Sequence, residues 1–220
     1  MRGVAFFGRH MVLAADDGNP VEAFAELAPL KDSERMIVGP RRTVEQYWAR
    51  VKDRHAPPRL VRESQPLLAV DRKSLRGHAD CVTVRQARTA EWESVAFNSA
   101  AMIREELGYD PRIASPEFDA NVRLAVERGA WWVGENEDGL CFYCSAGPHS
   151  PRTLQLQGIW TPPKLRRRGL ASAAMYGICD VLLNEHPTLS LYVNDFNAPA
   201  LALYDRLGFT QAGEFSTLLF

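Results

Sequence analysis

The chain has 220 residues, 46% of them hydrophobic and 24% charged, with a formal net charge of −1 at pH 7. That composition suits one large globular domain or two small ones and supplies no overall basic field to draw nucleic acid. Apolar runs such as Leu67–Val70 and Ala171–Met175 are too short to cross a bilayer, and the first residues lack a secretory pattern. The expectation is therefore a cytoplasmic monomer or homodimer, with no nucleic-acid and no membrane partner.

In chain order, residues 4–14 read as a strand or bent hairpin strand closed by the turn Asp16-Asp17-Gly18-Asn19-Pro20. Helical spacing follows over Val21–Leu30, then a short strand over Arg35–Val38. Val44, Tyr47, Trp48 and Val51 after Thr43 predict an amphipathic helix, stopped by Pro57-Pro58. Leu60–Val70 reads as a strand and Asp71–Asp80 as a polar linker.

Beyond the linker, Cys81–Arg85 is a strand and Thr89 opens a helix to about Leu107. Ser115-Pro116-Glu117 starts another helix through Arg128. Trp131–Glu135 and Leu140–Ala146 form a hairpin, and Thr153–Trp160 is a third antiparallel strand. A loop at Pro162–Arg168 leads into a helix over Gly169–Leu183, then a strand at Leu189–Val193, a helix at Ala198–Leu207 and a closing strand at Phe209–Phe220. This order predicts an α/β chain with a mixed sheet and helices on both faces. The expected domains are residues 1–80, an N-terminal α/β segment, and residues 81–220.

The four cysteines are Cys81, Cys141, Cys144 and Cys179. Cys141 and Cys144 form a C-x-x-C, but on a strand their side chains point to opposite faces, and no second pair completes a zinc set. No metal is expected. Of the 26 basic residues, 22 are arginine, so an arginine-rich motif alone carries little weight.

The chemistry concentrates at Arg166-Arg167-Arg168-Gly169-Leu170-Ala171, between a strand and a helix. A helix N-terminus offers unpaired amides and a partial positive charge, and small residues let a phosphate come close. The arginines add charge and forked donors. Neither a P-loop nor a dinucleotide G-x-G-x-x-G is present. The second informative stretch runs from Leu191 to Phe209 and includes Asn194, Asn197, Ala200, Tyr204, Gly208 and Phe209.

Together these two stretches resemble the GNAT acyltransferase superfamily. The first looks like its [QR]-x-x-G-x-[GA] pyrophosphate loop, and the second like its N-x-x-A-x-x-x-Y-x-x-x-G-F segment. Leu154–Trp160, Leu189–Asn197 and Gly213–Phe220 are similar to members from high-GC bacteria that carry a domain of unknown function ahead of the GNAT domain. That likeness extends upstream through Ile37–Pro40 and Gln65–Leu67. Those members carry a longer leader, which this chain enters part-way, as a truncated or a shortened member. Residues 1–80 then look like the latter half of a degenerate GNAT unit, a smaller partial GNAT-like segment.

The resemblance implies a GNAT fold with splayed central strands, here 153–160 and 189–193. It implies acetyl-CoA, or another acyl-CoA, as co-substrate and an amine acceptor, either a small molecule or a protein amine. Pantetheine would bond near Ile159 and Trp160, and the phosphates would meet Arg166, Arg167, Arg168, Gly169, Leu170 and Ala171. Asn194 and Asn197 would touch the cofactor arm, and Tyr204 would protonate the departing thiolate. Many members place a glutamate base on the strand before the loop; Gln155 and Gln157 stand there instead. Glu105, Glu106 and Tyr109 are the candidate bases, beside a water relay. His149 sits in a Gly147–Pro151 turn. The alternatives are a non-catalytic acyl-CoA sensor or scaffold, and transfer to a hydroxyl.

Overall fold

The computed structural model describes residues 2–8, 10–16, 19–28, 35–78 and 81–220. Contacts within the chain gather into two compact units. The first comprises Met1–Leu68, Tyr192–Leu201 and Gln211–Phe220; the second comprises Ala69–Leu191 and Ala202–Thr210. This grouping differs from a single boundary near residue 80.

In the first unit, the stretch read as a strand or bent hairpin strand is two strands, β1 (Gly3–Phe6) and β2 (His10–Ala15), paired antiparallel with Gly3 opposite Ala15 and Phe6 opposite Val12. Then come α1 (Asn19–Leu27), β3 (Met36–Pro40), α2 (Arg41–Val51) and β4 (Leu60–Asp71). With β10 (Thr210–Leu219), the strand order is β1-β2-β3-β10-β4. β2 and β3 run parallel, while β3 and β10 run antiparallel. Along β2, Met11 and Leu13 are buried while His10, Val12 and Ala14 are exposed, the period-2 pattern of a one-sided sheet. Val44, Tyr47 and Val51 put the apolar stripe of α2 onto the same core as Met11, Leu13 and Ile37. Gly39 is obligatory there, because an added Cβ would lie 2.1 Å from the Leu13 carbonyl oxygen. Within the turn expected at 16–20, Asp17 and Gly18 lie outside the described residues, as do Pro29 and Leu30 of the helix expected at 21–30 and Ala79 and Asp80 of the linker.

The second unit holds β5 (Thr83–Gln86), α3 (Trp92–Leu107), α4 (Pro111–Ala114), α5 (Phe118–Glu127), β6 (Trp131–Asn136), β7 (Gly139–His149), β8 (Thr153–Trp160), α6 (Leu170–Leu182) and β9 (Thr188–Tyr192). Its strands run in the order β9-β8-β7-β6-β5, antiparallel except for the β8–β9 pair. Trp131 and Val133 pack with Val95 and Ala96 of α3 and Val122 and Val126 of α5. Gly134, the next residue of β6, faces the other way, and a Cβ there would meet Ala174 of α6 at 3.1 Å. Helices therefore cover both faces of this sheet. The last helix, α7 (Ala198–Arg206), is shared by sequence between the two units.

Three local expectations need correction. Thr89 does not cap α3; it begins a single 3-10 turn, and Glu91 accepts from the Arg88 N–H at 2.7 Å. The helix expected from Pro116 starts at Phe118, after a turn closed by the Phe118 N–H on the Ser115 carbonyl at 3.0 Å. A separate short helix, α4, precedes it, capped by Asp110, which accepts from the Arg112 N–H at 3.0 Å. His149 is in β7, opposite Leu154, not in a turn.

Candidate functional site

The site in the second unit is built on β8. This strand pairs with β9 only through Thr153, Leu154 and Gln155, opposite Thr188, Leu189 and Ser190. Beyond Gln155 the β9 register stops, so the polar backbone of residues 156–160 has no ladder on that side. The other edge of β8 is irregular at the same place. Tyr143 faces Trp160 and Ser145 faces Gln157, so Cys144 stands against both Gly158 and Ile159. That is a β-bulge, and Gly158 adopts φ +58° within it. An isolated glycine in an otherwise regular strand pattern is the sequence signal for such a bulge.

After Trp160 the chain makes a short 3-10 turn at Pro163–Leu165 and reaches the arginine loop. Arg167 holds φ +62°, a left-handed conformation that costs a non-glycine residue about 1–2 kcal/mol. Gly169 follows at φ +78° as the residue that opens α6, and its carbonyl accepts from the Ala173 N–H at 3.1 Å. An added Cβ on Gly169 would meet nothing within 4 Å. The helix thus begins at an open floor rather than against packed atoms. Leu170 is buried under it and Ala171 half-buried.

The three arginines differ. Arg166 donates through Nε to the Thr161 carbonyl at 3.0 Å and through both terminal nitrogens to the two Glu105 oxygens at 2.9 and 3.1 Å. Its guanidinium also lies 4.5 Å over the Trp160 ring. Arg168 reaches Asp138 at 3.5 Å, and Arg167 is exposed. Trp160 is 6% exposed, and its indole Nε1 is buried with no hydrogen-bond partner among the described residues.

Tyr204 of α7 is 5% exposed and packs against Phe209 with ring centroids 5.6 Å apart. Burial pushes its phenol well above the ordinary value, with the neighbouring Cys144, the Glu106 carboxylate and Cys179 adding to the effect. Of the candidate bases, Glu106 therefore acts electrostatically on Tyr204, whereas Glu105 is engaged by Arg166. Tyr109 lies just beyond α3, half-buried. Gln155 and Gln157 bond each other, Nε2 to Oε1 at 2.8 Å. Cys141, Cys144 and Cys179 are buried free thiols; burial pushes Cys179 up to about 12. Among the described residues no group of three or more potential metal ligands gathers.

Asn194 and Asn197 belong to the first unit. Asn194 Oδ1 accepts from Gln65 Nε2 at 3.0 Å, and Gln65 in turn accepts from the Thr217 hydroxyl. Asn197 Oδ1 accepts from the Ala200 N–H at 3.3 Å and so caps α7. Both side-chain oxygens already hold protein structure.

An acyl-CoA fits the second unit's residues. Open space over Gly169, the Arg167 and Arg168 guanidinium groups, an unladdered strand end and an unmet indole donor are complementary to an anionic, amide-bearing ligand. A mixed α/β sheet in which one strand parts from its neighbour and runs into an open helix start offers a crevice for such a ligand. Residues 99–209, just over half of the chain, match the model of the acetyltransferase (GNAT) family, and residues 1–95 match a domain of unknown function, DUF4081. The chain belongs to the acetyltransferase (GNAT) family.

Among curated proteins, a mycothiol acetyltransferase from Acidimicrobium ferrooxidans is 36% identical over 104 residues, covering 42% of this chain and 34% of that protein. A second, from Brachybacterium faecium, is 29% identical over 164 residues, covering 68% of this chain and 46% of that protein. The chain thus spans between a third and half of the length of these relatives. Solved structures share the fold: a GNAT-family acetyltransferase from Colwellia psychrerythraea has TM-score 0.63 at 11% identity, covering 100% of this chain and 81% of its own. A GCN5-related N-acetyltransferase from Kribbella flavida has TM-score 0.60 at 15% identity, covering 96% and 80%. Among the described residues no helix is long and apolar enough to cross a membrane.

Proposed function

We propose that the chain is an N-acetyltransferase that moves an acetyl group directly from acetyl-CoA to an amine. The observation that carries this reading is the parting of β8 from β9 just before a loop whose Gly169 leaves open space at the start of α6. Backbone amides of residues 169–171, with Arg167 and Arg168, would hold the phosphates, and the free backbone near Ile159 and Trp160 would meet the pantetheine arm. Acetyl-CoA, when bound, supplies a thioester carbonyl open to attack by a neutral amine.

The chain's own residues then manage two protons. An amine with a pKa near that of lysine, about 10.4, must lose a proton before attack, and Glu106 is the group assigned to take it. Tyr204, protonated throughout the neutral range, gives its proton to the departing thiolate and is restored by the second proton that the nitrogen sheds as the amide forms. The relatives' name directs the first choice of acceptor to a mycothiol-related amine; a protein amine is the other class.

The rival reading is an acyl-CoA-binding module without turnover, and the Gln155–Gln157 pair in place of a strand carboxylate favours it. Release of free thiol from acetyl-CoA, followed across a panel of small amines that includes mycothiol precursors, separates the two. Amine-dependent thiol release supports the transferase. Tight acetyl-CoA binding with no amine-dependent release across the panel sinks it in favour of the binding module.

A further inference from the structure

Glu105 and Glu106 are adjacent in sequence at the end of α3, so their side chains leave the helix about 100° apart. We infer that Glu105 is a positioning residue that fixes the phosphate loop through Arg166, and not the proton acceptor. The second half of this inference rests on the transferase reading; the first half does not.

Both Glu105 oxygens accept from the Arg166 guanidinium, at 2.9 and 3.1 Å. Any substrate amine would have to share a carboxylate whose two oxygens are both already engaged by the guanidinium. Arg166 is fixed from three directions: the carboxylate, the Thr161 carbonyl and the face of Trp160. A planar guanidinium held in this way is a rigid post rather than a mobile charge. It stands immediately before Arg167, whose left-handed backbone persists only if its neighbours are held. The Arg166 N–H closes the preceding 3-10 turn onto the Pro163 carbonyl at 3.3 Å, and the Leu165 N–H bonds Pro162 at 2.8 Å. Glu105 therefore ties the end of α3 to the loop in the shape that keeps Gly169 open. The phosphate charge is left to Arg167 and Arg168.

The test compares Glu105→Gln, Glu106→Gln and Arg166→Gln with Glu105→Gln/Arg166→Gln in the full chain. Because the pair is half-exposed, Glu105→Gln is expected to weaken CoA binding about threefold to tenfold by calorimetry. It is also expected to speed hydrogen exchange at the Leu165 and Arg166 amides without CoA, and to keep the acid limb of the kcat/KM–pH profile. Glu106→Gln, which lies outside the fork, is expected to leave CoA affinity within about twofold and those amide exchange rates unchanged. The double variant is expected to bind CoA no worse than Arg166→Gln, since the two changes remove one interaction. Loss of the acid limb in Glu105→Gln would overturn the assignment. So would unchanged amide exchange in that variant, an arm that needs no CoA. If the wild-type chain binds no CoA, the transferase reading fails, and the exchange measurement still decides the Glu105–Arg166 post.

Discussion

A phenol removed from water releases its proton reluctantly, and Tyr204 is such a phenol, 5% exposed beside Phe209 with its proton affinity raised first by burial. As a proton donor it stays armed through the whole neutral range, so no alkaline loss of rate below its ordinary value of about 10 should trace to it. Tyr204→Phe is expected to lower kcat by about 100-fold, the low end for general acid catalysis, because a thiolate tolerates departure and water can lend a proton. Acetyl-CoA affinity should hardly change. Rate and melting temperature measured on the same variant separate the roles: a full rate with a lowered melting temperature means Tyr204 is packing alone. Gly169 gives the complementary case. At φ +78° with open space above it, Gly169→Glu adds backbone strain of about 1–2 kcal/mol and places a carboxylate where the phosphate is expected. CoA binding should fall far more than the melting temperature; unchanged affinity by calorimetry would mean that the phosphates bind elsewhere.

Elements are joined by interactions that sequence spacing does not display. Arg85 of β5 donates to Glu91 at 2.7 and 2.8 Å and to Glu135 of β6 at 2.8 Å, while Glu91 also accepts from the Arg88 N–H where α3 begins. The Glu91 carboxyl is held below its ordinary range first by the Arg85 hydrogen bond and then by the Arg88 amide, against the cost of burial. A depressed carboxyl stabilises the fold above its unfolded value, near 4.3, and that contribution fades as pH falls through the lower folded value. Glu91→Gln is expected to cost roughly 1–2 kcal/mol at pH 7, with the gap to wild type closing below about pH 4. A gap that stays constant to pH 3 in denaturant titrations would remove the charge from this account. The same contrast explains what the sequence displayed. Strands and helices with period-2 or 3.6 patterns could be read, and so could the arginine loop, because its residues are contiguous. Asp110-Pro111 marked α4, but Pro116 drew the helix start. Gly147-Pro148 suggested a turn, yet pairing with β8 carries β7 on to His149. Glu105 and Arg166 lie 61 residues apart, and Gln65 and Asn194 lie 129 apart, and no local pattern announces either pair.

At the scale of the whole molecule, the first unit is assembled from three separated stretches, and this decides how the chain can be cut. β10 finds its partner in β3, with Phe215 opposite Pro40 and Leu219 opposite Met36. The segment after β9 is tied to β4 by the Val193 N–H on the Pro66 carbonyl at 3.2 Å, the Asp195 N–H on the Ser64 carbonyl at 3.4 Å, and the Asn194–Gln65 bond. Leu218 closes on the core formed by Met11, Ile37 and Tyr47. Among the described residues of 1–68 there is no second combination of small residues, arginine and free helix amides; at Gly39-Pro40-Arg41-Arg42, Pro40 lacks the N–H and Gly39 is pressed on Leu13. The full chain is therefore expected to bind one CoA, and a calorimetric stoichiometry of two would contradict this. Removing residues 1–68 has a sharper consequence. It strips β10 of its neighbour, leaves Asn194 and two backbone amides without acceptors or donors from β4, and bares Leu218 and Leu219. Each lost hydrogen bond costs about 0.5–1.5 kcal/mol and each uncovered leucine about 1.5–3 kcal/mol, while a typical domain's whole stability is about 5–15 kcal/mol. A fragment of residues 69–220 is accordingly expected to show no cooperative thermal transition, although it retains the loop at 166–171. A fragment that melts cooperatively near the full chain's temperature and binds CoA as tightly would establish a self-sufficient C-terminal domain and confine residues 1–68 to another task.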